Sequence, residues 1–60
     1  MKLRFIGNDG ALRVKNGKVY DVTVHSVGEF ICVTIEDPNL GTLHYSYRTP
    51  STFAHNWKRP

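Results

Sequence analysis

Three histidines and one cysteine are the side chains of this sequence best suited to acid–base or nucleophilic chemistry near neutral pH. His25, His44 and His55 could each exchange a proton, because an unperturbed imidazole titrates at about pH 6.5. No two of them have the H-x-x-x-H spacing that places two metal ligands on one face of a helix. We therefore interpret them as surface side chains and expect no metal. The alternative is a two-histidine metal site assembled across strands.

Cys32 could act as a nucleophile only if a base lay beside it and its surroundings favoured the thiolate. Its neighbours Ile31 and Val33 instead indicate an apolar strand, in which a thiol packs as a small hydrophobic group. Because the chain has a single cysteine, an internal disulfide and a cysteine-rich zinc site are both excluded. Stability must therefore come from a well-packed, aromatic-rich core or from a partner.

The carboxylates do not suggest a catalytic pair. A glycosidase-like pair needs a cleft between its two groups, and a 60-residue chain has little room for one. The sequence also contains no dinucleotide-binding GxGxxG, no Walker motif and no nucleophile elbow. The acidic residues are spread over predicted loops and strand ends: Asp9, Asp21, Glu29, Glu36 and Asp37. We expect a protein that is not an enzyme and that needs no cofactor.

The basic residues give a formal net charge of +3, which permits an anionic partner. Lys2 and Arg4 alternate onto the outward side of the first predicted strand, and other bases flank the Asn16-Gly17 turn. If that turn lies beside the first strand, the charges could follow a phosphate backbone. The candidate nucleic-acid-binding residues are Lys2, Arg4, Arg13, Lys15, Lys18 and Arg48. The alternative is that these residues keep the edges of a small sheet soluble and unpaired.

Phe30 is the residue that most suggests a protein partner. It alternates onto the side of its strand opposite Ile31 and Val33, where an aromatic ring would face solvent. An exposed apolar patch of this kind often marks an interface. The candidate partner surface comprises Phe30, His44 and Tyr47. The alternative is a second small core, in which Phe30 packs with Phe53 and Trp57 beneath a C-terminal helix.

The elements that must position these residues are mostly short strands. The run Leu12 to His25, LRVKNGKVYDVTVH, has a turn at Asn16-Gly17 and then strict apolar–polar alternation, typical of a half-buried antiparallel strand. The same reasoning predicts strands at 2–6, 18–26, 30–35 and 43–48, loops at 7–10 and 37–41, and a short extended segment at 12–15. Thr49-Pro50 predicts the start of a helix that carries Phe53 and Trp57.

One domain, 1–60, follows from the length, and the strands suit a small closed barrel with a short C-terminal helix. A two-layer α+β arrangement is the alternative. We expect Phe53 and Trp57 to plug one end of the barrel. The predicted inward-facing residues are Leu3, Phe5, Leu12, Tyr20, Val22, Val24, Ile31, Val33, Ile35, Leu43 and Tyr45.

The segment Leu12-x4-Gly17-x2-Tyr20-x-Val22 is similar to the entry into the second strand of many SH3-like barrels. The pieces LRFIGNDG, VKNGKVYDVTV and PSTFAHNW resemble small proteins of bacteriophages and prophages of Gram-positive bacteria, and together they cover roughly half of the chain. The resemblance implies an SH3-like barrel of four to five antiparallel strands, expressed in the host cytoplasm, where such proteins regulate phage genes or interfere with host proteins. It carries no catalytic or ligand-binding motif.

The sequence therefore predicts a small interaction protein that binds a protein partner through one face of the barrel. The alternative is a nucleic-acid-binding module that uses the basic hairpin and the first strand. Pairing between copies stays open, because a short sheet has free edges. The chain shows no signal peptide and no apolar stretch of membrane-spanning length, so we expect a cytoplasmic protein without a membrane partner.

Overall fold

The chain forms a mainly β structure in a computed structural model, which describes residues 1–8 and 13–60. One five-stranded sheet contains every described strand, in the order β4-β3-β2-β1-β5, and all neighbouring strands are antiparallel. The elements are β1 (Lys2–Phe5), β2 (Val19–Val27), β3 (Phe30–Asp37), β4 (Gly41–Tyr47), α1 (Pro50–Asn56) and β5 (Trp57–Lys58). The predicted strands and helix are thus found, and β5 is an addition.

Two tight turns fix the register of the three longest strands. Gly28, with φ of +59°, lies in the two-residue turn of the β2–β3 hairpin, whose flanking pair is Val27 and Phe30. In the β3–β4 loop, the carboxylate of Asp37 accepts hydrogen bonds from the main-chain N–H groups of Asn39 and Leu40, at 2.9 and 3.0 Å. Side-chain acceptance of this kind stabilises Asx turns, which explains why this sequence ends β3 at an Asp-Pro-Asn segment.

The core lies on one face of the sheet, as the alternation predicts. The buried side chains are Leu3, Phe5, Val14, Tyr20, Val22, Val33, Ile35, Tyr47 and Trp57. Four further predicted core residues are half-buried and pack against this cluster: Val24, Ile31, Leu43 and Tyr45. Val14, which the prediction omitted, is fully buried in the core cluster and lies in the described segment that precedes β2. Leu12, which the sequence places in the core, lies outside the described residues, as does Asp9.

The C-terminal helix begins as predicted and ends sooner. Thr49 is the N-cap, its Oγ1 accepting from the N–H of Thr52 at 3.1 Å, and Pro50 occupies the first turn. Trp57 then adopts an extended conformation and pairs with Phe5, so its predicted place on the helix is wrong. Its indole packs edge-on against the Phe5 ring, with 5.1 Å between ring centroids. Burial of this aromatic pair favours the strand over another helical turn.

The predicted closure of the sheet into a barrel is not found among the described residues. The strands β4 and β5 lie at opposite edges of one open sheet, and neither pairs with the other. β5 contains two residues, and the core cluster includes Val14 and Trp57, with Phe53 packed against it. No described helix is both long and apolar enough to cross a membrane.

Candidate interaction surface

The outer face of the sheet, opposite the core, brings polar side chains from three strands into rows. Strand pairing places His25, Cys32 and Ser46 in one row. The next row along the strands contains Thr23, Thr34 and His44, and the one after it contains Asp21, Glu36 and Thr42. Most of these side chains are exposed, and Cys32 and Thr34 are half-buried. The outer face is therefore a broad polar surface.

Hydrogen bonds tie the outer face together across β3 and β4. Thr34 Oγ1 lies 3.2 Å from His44 Nδ1, and Thr42 Oγ1 donates to a Glu36 carboxylate oxygen at 2.9 Å. Cys32 Sγ lies 3.7 Å from Ser46 Oγ. Cys32, which we interpret as a packed thiol, is half-buried on the outer face, because the alternation of the strand turns its side chain away from the apolar core.

An apolar pair interrupts this polar surface at the end of the β2–β3 hairpin. Val27 and Phe30 are directly opposite each other in the register, and they are 55% and 44% exposed. We call these two residues the tip patch. The alternative interpretation, a second core of Phe30 with Phe53 and Trp57, is wrong. Phe53 instead packs against the ring of Tyr47, with 6.0 Å between centroids.

The other two residues of the predicted partner surface lie elsewhere. His44 is exposed on the outer face of the edge strand β4, whereas Tyr47 is only 8% exposed and belongs to the core. The phenol oxygen of Tyr47 accepts a hydrogen bond from Trp57 Nε1 at 3.0 Å. Burial raises the pKa of Tyr47 above the usual value for tyrosine; the hydrogen bond from Trp57 opposes this shift and Tyr45 adds to it. Tyr47 therefore offers little surface to a partner.

The predicted basic residues converge only in part. The Asn16-Gly17 turn does lie beside β1, because Gly17 N–H donates to the Phe5 carbonyl at 2.7 Å and Arg4 Nη1 donates to the Gly17 carbonyl at 2.7 Å. Lys58, which the predicted set omits, is paired with Arg4 across β1 and β5. Lys2, Arg4 and Lys58 therefore share the outer face along one side of the sheet, which we call the basic edge.

Acidic partners reduce the charge available near the basic edge. Lys2 Nζ lies 3.0 Å from a carboxylate oxygen of Asp21, with both side chains exposed. Lys18 Nζ lies 3.8 Å from a carboxylate oxygen of Asp37 and 5.2 Å from the centroid of the Tyr20 ring. Such pairs contribute little stability at a surface, but each acidic partner offsets one positive charge that a phosphate backbone would meet.

The remaining members of the predicted nucleic-acid-binding set do not form one group. Lys15 is exposed next to the Asn16-Gly17 turn, and its main-chain N–H donates to the Tyr20 hydroxyl at 2.9 Å. Arg13 is exposed, and its main-chain N–H donates to the hydroxyl of Tyr45 on the opposite edge strand. Arg48 follows β4 and is also exposed. Six bases that look alike in the sequence are thus distributed over both sides of the molecule.

The described part of the chain contains no group of three or more histidine, cysteine or acidic side chains placed to hold a metal ion, and no pocket. Comparisons of the chain with protein-family models, curated proteins and solved structures gave no match. The surfaces that could bind a partner are therefore the tip patch, the outer face and the basic edge.

Proposed function

We propose that this chain is a non-enzymatic interaction protein with an SH3-like fold, which binds a protein partner through the tip patch. The strand order supports the SH3-like assignment, since a short helix leads into a last strand that pairs with the first, as the order of parts in such barrels requires. The resemblance to bacteriophage and prophage proteins makes a host or phage protein in the bacterial cytoplasm the proposed partner.

The exposed pair Val27 and Phe30 is the observation that carries this proposal. Single exposed apolar residues are common, but here two lie opposite each other on a hairpin whose register is fixed by a two-residue turn. A pre-ordered aromatic and aliphatic pair loses little conformational entropy when a partner covers it. Full burial of such side chains contributes about 1.5–3 kcal/mol each. The polar outer face beside the pair would form the rim of the interface.

Matched serine substitutions on one strand test the proposal. Val27 and Val19 both lie on the outer face of β2, at opposite ends of the strand, so Val19→Ser controls for the loss of a valine and of β propensity. The protein is immobilised and exposed to a lysate of the cells that encode it, and circular dichroism checks that each variant is folded. We expect one stoichiometric partner, bound about tenfold more weakly by Val27→Ser and by Phe30→Ser and unchanged by Val19→Ser. Retention of the partner by all variants alike would refute the proposal.

Nucleic-acid binding is the second candidate, and the pairing of Arg4 with Lys58 is the observation that favours it. Lys58→Glu should weaken binding of a fluorescent DNA duplex in an anisotropy titration. The logarithm of the association constant falls linearly with the logarithm of the salt concentration, and the magnitude of this slope should decrease by about one. Arg48→Glu, beyond the opposite edge strand, is the control of equal charge change. No binding by the unmodified protein at low salt would exclude this function. The ion pairs of Lys2 and Lys18 make it the weaker candidate.

A further inference from the structure

The edge strand β4 carries main-chain groups that a further strand could bind. We propose that two copies of the chain associate by antiparallel pairing of their β4 strands, in a register centred on His44, to form one continuous sheet. The proposal depends on the outer edge of β4, which is separate from the tip patch at the β2–β3 turn. Failure of the proposed function would therefore leave this proposal unaffected, and the converse also holds.

The hydrogen bonds between β1 and β2, on the other side of the sheet, establish the direction in which the main-chain N–H and C=O groups of β4 point. Val22 exchanges both of its main-chain hydrogen bonds with Met1, at 2.8 and 3.0 Å. Its N–H and C=O thus face β1, so Val22 and Ile35 form a non-hydrogen-bonded pair, and the polar groups of Ile35 face β4. Ile35 is paired with Leu43, whose main-chain groups therefore face β3.

Because orientation alternates along an antiparallel strand, the neighbours of Leu43 direct their N–H and C=O groups away from β3. The residues that do so are Thr42, His44 and Ser46, all of them exposed. No described strand pairs with β4 on that side. A row of outward main-chain donors and acceptors of this kind is the template to which an added strand binds.

The two edges of the sheet are unequally protected against such pairing. β5 contains two residues, one of them Lys58, and Arg59 and Pro60 follow it at once. Short length, positive charge and proline are the devices that block pairing at a sheet edge. The seven residues of β4, GTLHYSY, include no proline and no lysine, arginine, aspartate or glutamate. β4 is therefore the edge that accepts a strand.

The sequence of β4 fits a second copy of itself. With His44 opposite His44 of the second copy, all three outward-facing residues of each strand take part, giving about six main-chain hydrogen bonds across the interface. A register displaced by two residues would forfeit about a third of these bonds. The centred register also places Leu43 opposite Tyr45 of the second copy on the core face, where both side chains are half-buried. Aliphatic–aromatic cross-strand pairs stabilise sheets, and no formal charges meet in this register.

Sedimentation velocity over a range of protein concentrations tests the pairing. His44→Lys places two ammonium groups on directly opposite residues, and like charges in that position destabilise a strand pair. Thr23→Lys is the matched control, because it adds the same charge to the outer face of the central strand β2. We expect the unmodified protein and Thr23→Lys to dimerise equally, and His44→Lys to raise the dimer dissociation constant at least about tenfold.

Ser46→Pro provides a second variant that adds no charge. It removes a main-chain N–H that faces away from β3, which an edge strand tolerates, and it should also weaken the dimer at least about tenfold. Circular dichroism must show that both β4 variants are folded. His44→Lys loses the hydrogen bond between His44 and Thr34, and if that loss unfolds the protein, Ser46→Pro alone tests the proposal. A monomeric unmodified protein at about 1 mM would overturn the proposal. A dimer that persists in the folded β4 variants would also overturn it, as would a dimer that Thr23→Lys weakens as much as His44→Lys does. A monomer that binds an extended peptide at β4 would show that the occupant of this edge is a peptide and not a second copy.

Discussion

The substitution Tyr47→Phe tests the buried polar contact that joins the end of the sheet to the last strand. The phenol oxygen of Tyr47 accepts from Trp57 Nε1 at 3.0 Å, and the two side chains are 8% and 2% exposed. An indole N–H can only donate, so removing the hydroxyl leaves a buried donor without a partner. The aromatic ring remains, and with it the packing against Phe53.

The expected loss is about 1–3 kcal/mol of unfolding free energy, the cost of an unsatisfied buried donor. In a domain of this size, 1 kcal/mol lowers Tm by about 4–8 °C. Urea and thermal unfolding followed by circular dichroism would measure the change. Tyr45→Phe is the matched control, because among the described residues its hydroxyl accepts one hydrogen bond, from the exposed main-chain N–H of Arg13 at 3.3 Å. Equal losses in Tyr47→Phe and Tyr45→Phe would refute the assigned role of the Trp57 hydrogen bond.

Three further predictions concern the same architecture. The folded state holds the proton of Tyr47 more tightly than the unfolded chain, so the contribution of this group to stability should be fully present below about pH 10 and be lost as the pH rises through the raised pKa. Urea titrations at several pH values should show that Tyr47→Phe loses this component of the pH dependence, and an unaltered pH dependence would contradict the assignment. Thr49→Ala should cost about 0.5–2 kcal/mol by removing the N-cap acceptor, whereas Thr49→Ser should cost much less, and equal losses in thermal unfolding would contradict the cap. Gly7→Ala should destabilise by about 1–3 kcal/mol, because an added Cβ would lie 2.8 Å from the buried Phe5 ring. Adding Asn56→Ala should restore only part of this loss, since it removes just the side-chain oxygen that clashes with that Cβ, and full restoration would contradict the role of Phe5.

Local pattern predicted most of the elements because local chemistry sets them. The alternation of Tyr20 and Val22, the two-residue turn at Gly28 and the cap at Thr49 each require only neighbouring residues. The helical position predicted for Trp57 is wrong because its spacing of four residues from Phe53 is also the spacing of neighbours on one helix face. Its true position depends on pairing with Phe5, fifty-two residues away in the chain, which no local window contains. The prediction of a closed barrel is wrong for the same reason, because closure of a sheet depends on contacts between edge strands that are far apart in the chain.

The residues of the candidate surface could be predicted only where their position follows from the alternation of side chains between the two faces of a strand. This alternation places Phe30 on the side of β3 opposite Val33, and it predicts that His44 faces outward from β4. The alternation that places Tyr45 in the core places Tyr47 there as well, and this signal was available. Local sequence patterns could not predict two cross-strand pairs, because each depends on a register between strands far apart in the sequence. These pairs are Lys2 with Asp21 and Arg4 with Lys58.

The most direct test of the proposed function is a calorimetric titration of the purified partner with three forms of the protein. The proposal predicts that Val27→Ser raises the dissociation constant about tenfold, which corresponds to about 1.4 kcal/mol. It predicts that Val19→Ser, at the other end of the same face of β2, leaves the constant within about twofold of the unmodified protein. Equal affinities for all three forms would show that the partner binds elsewhere and would contradict the assignment of the tip patch as the binding surface.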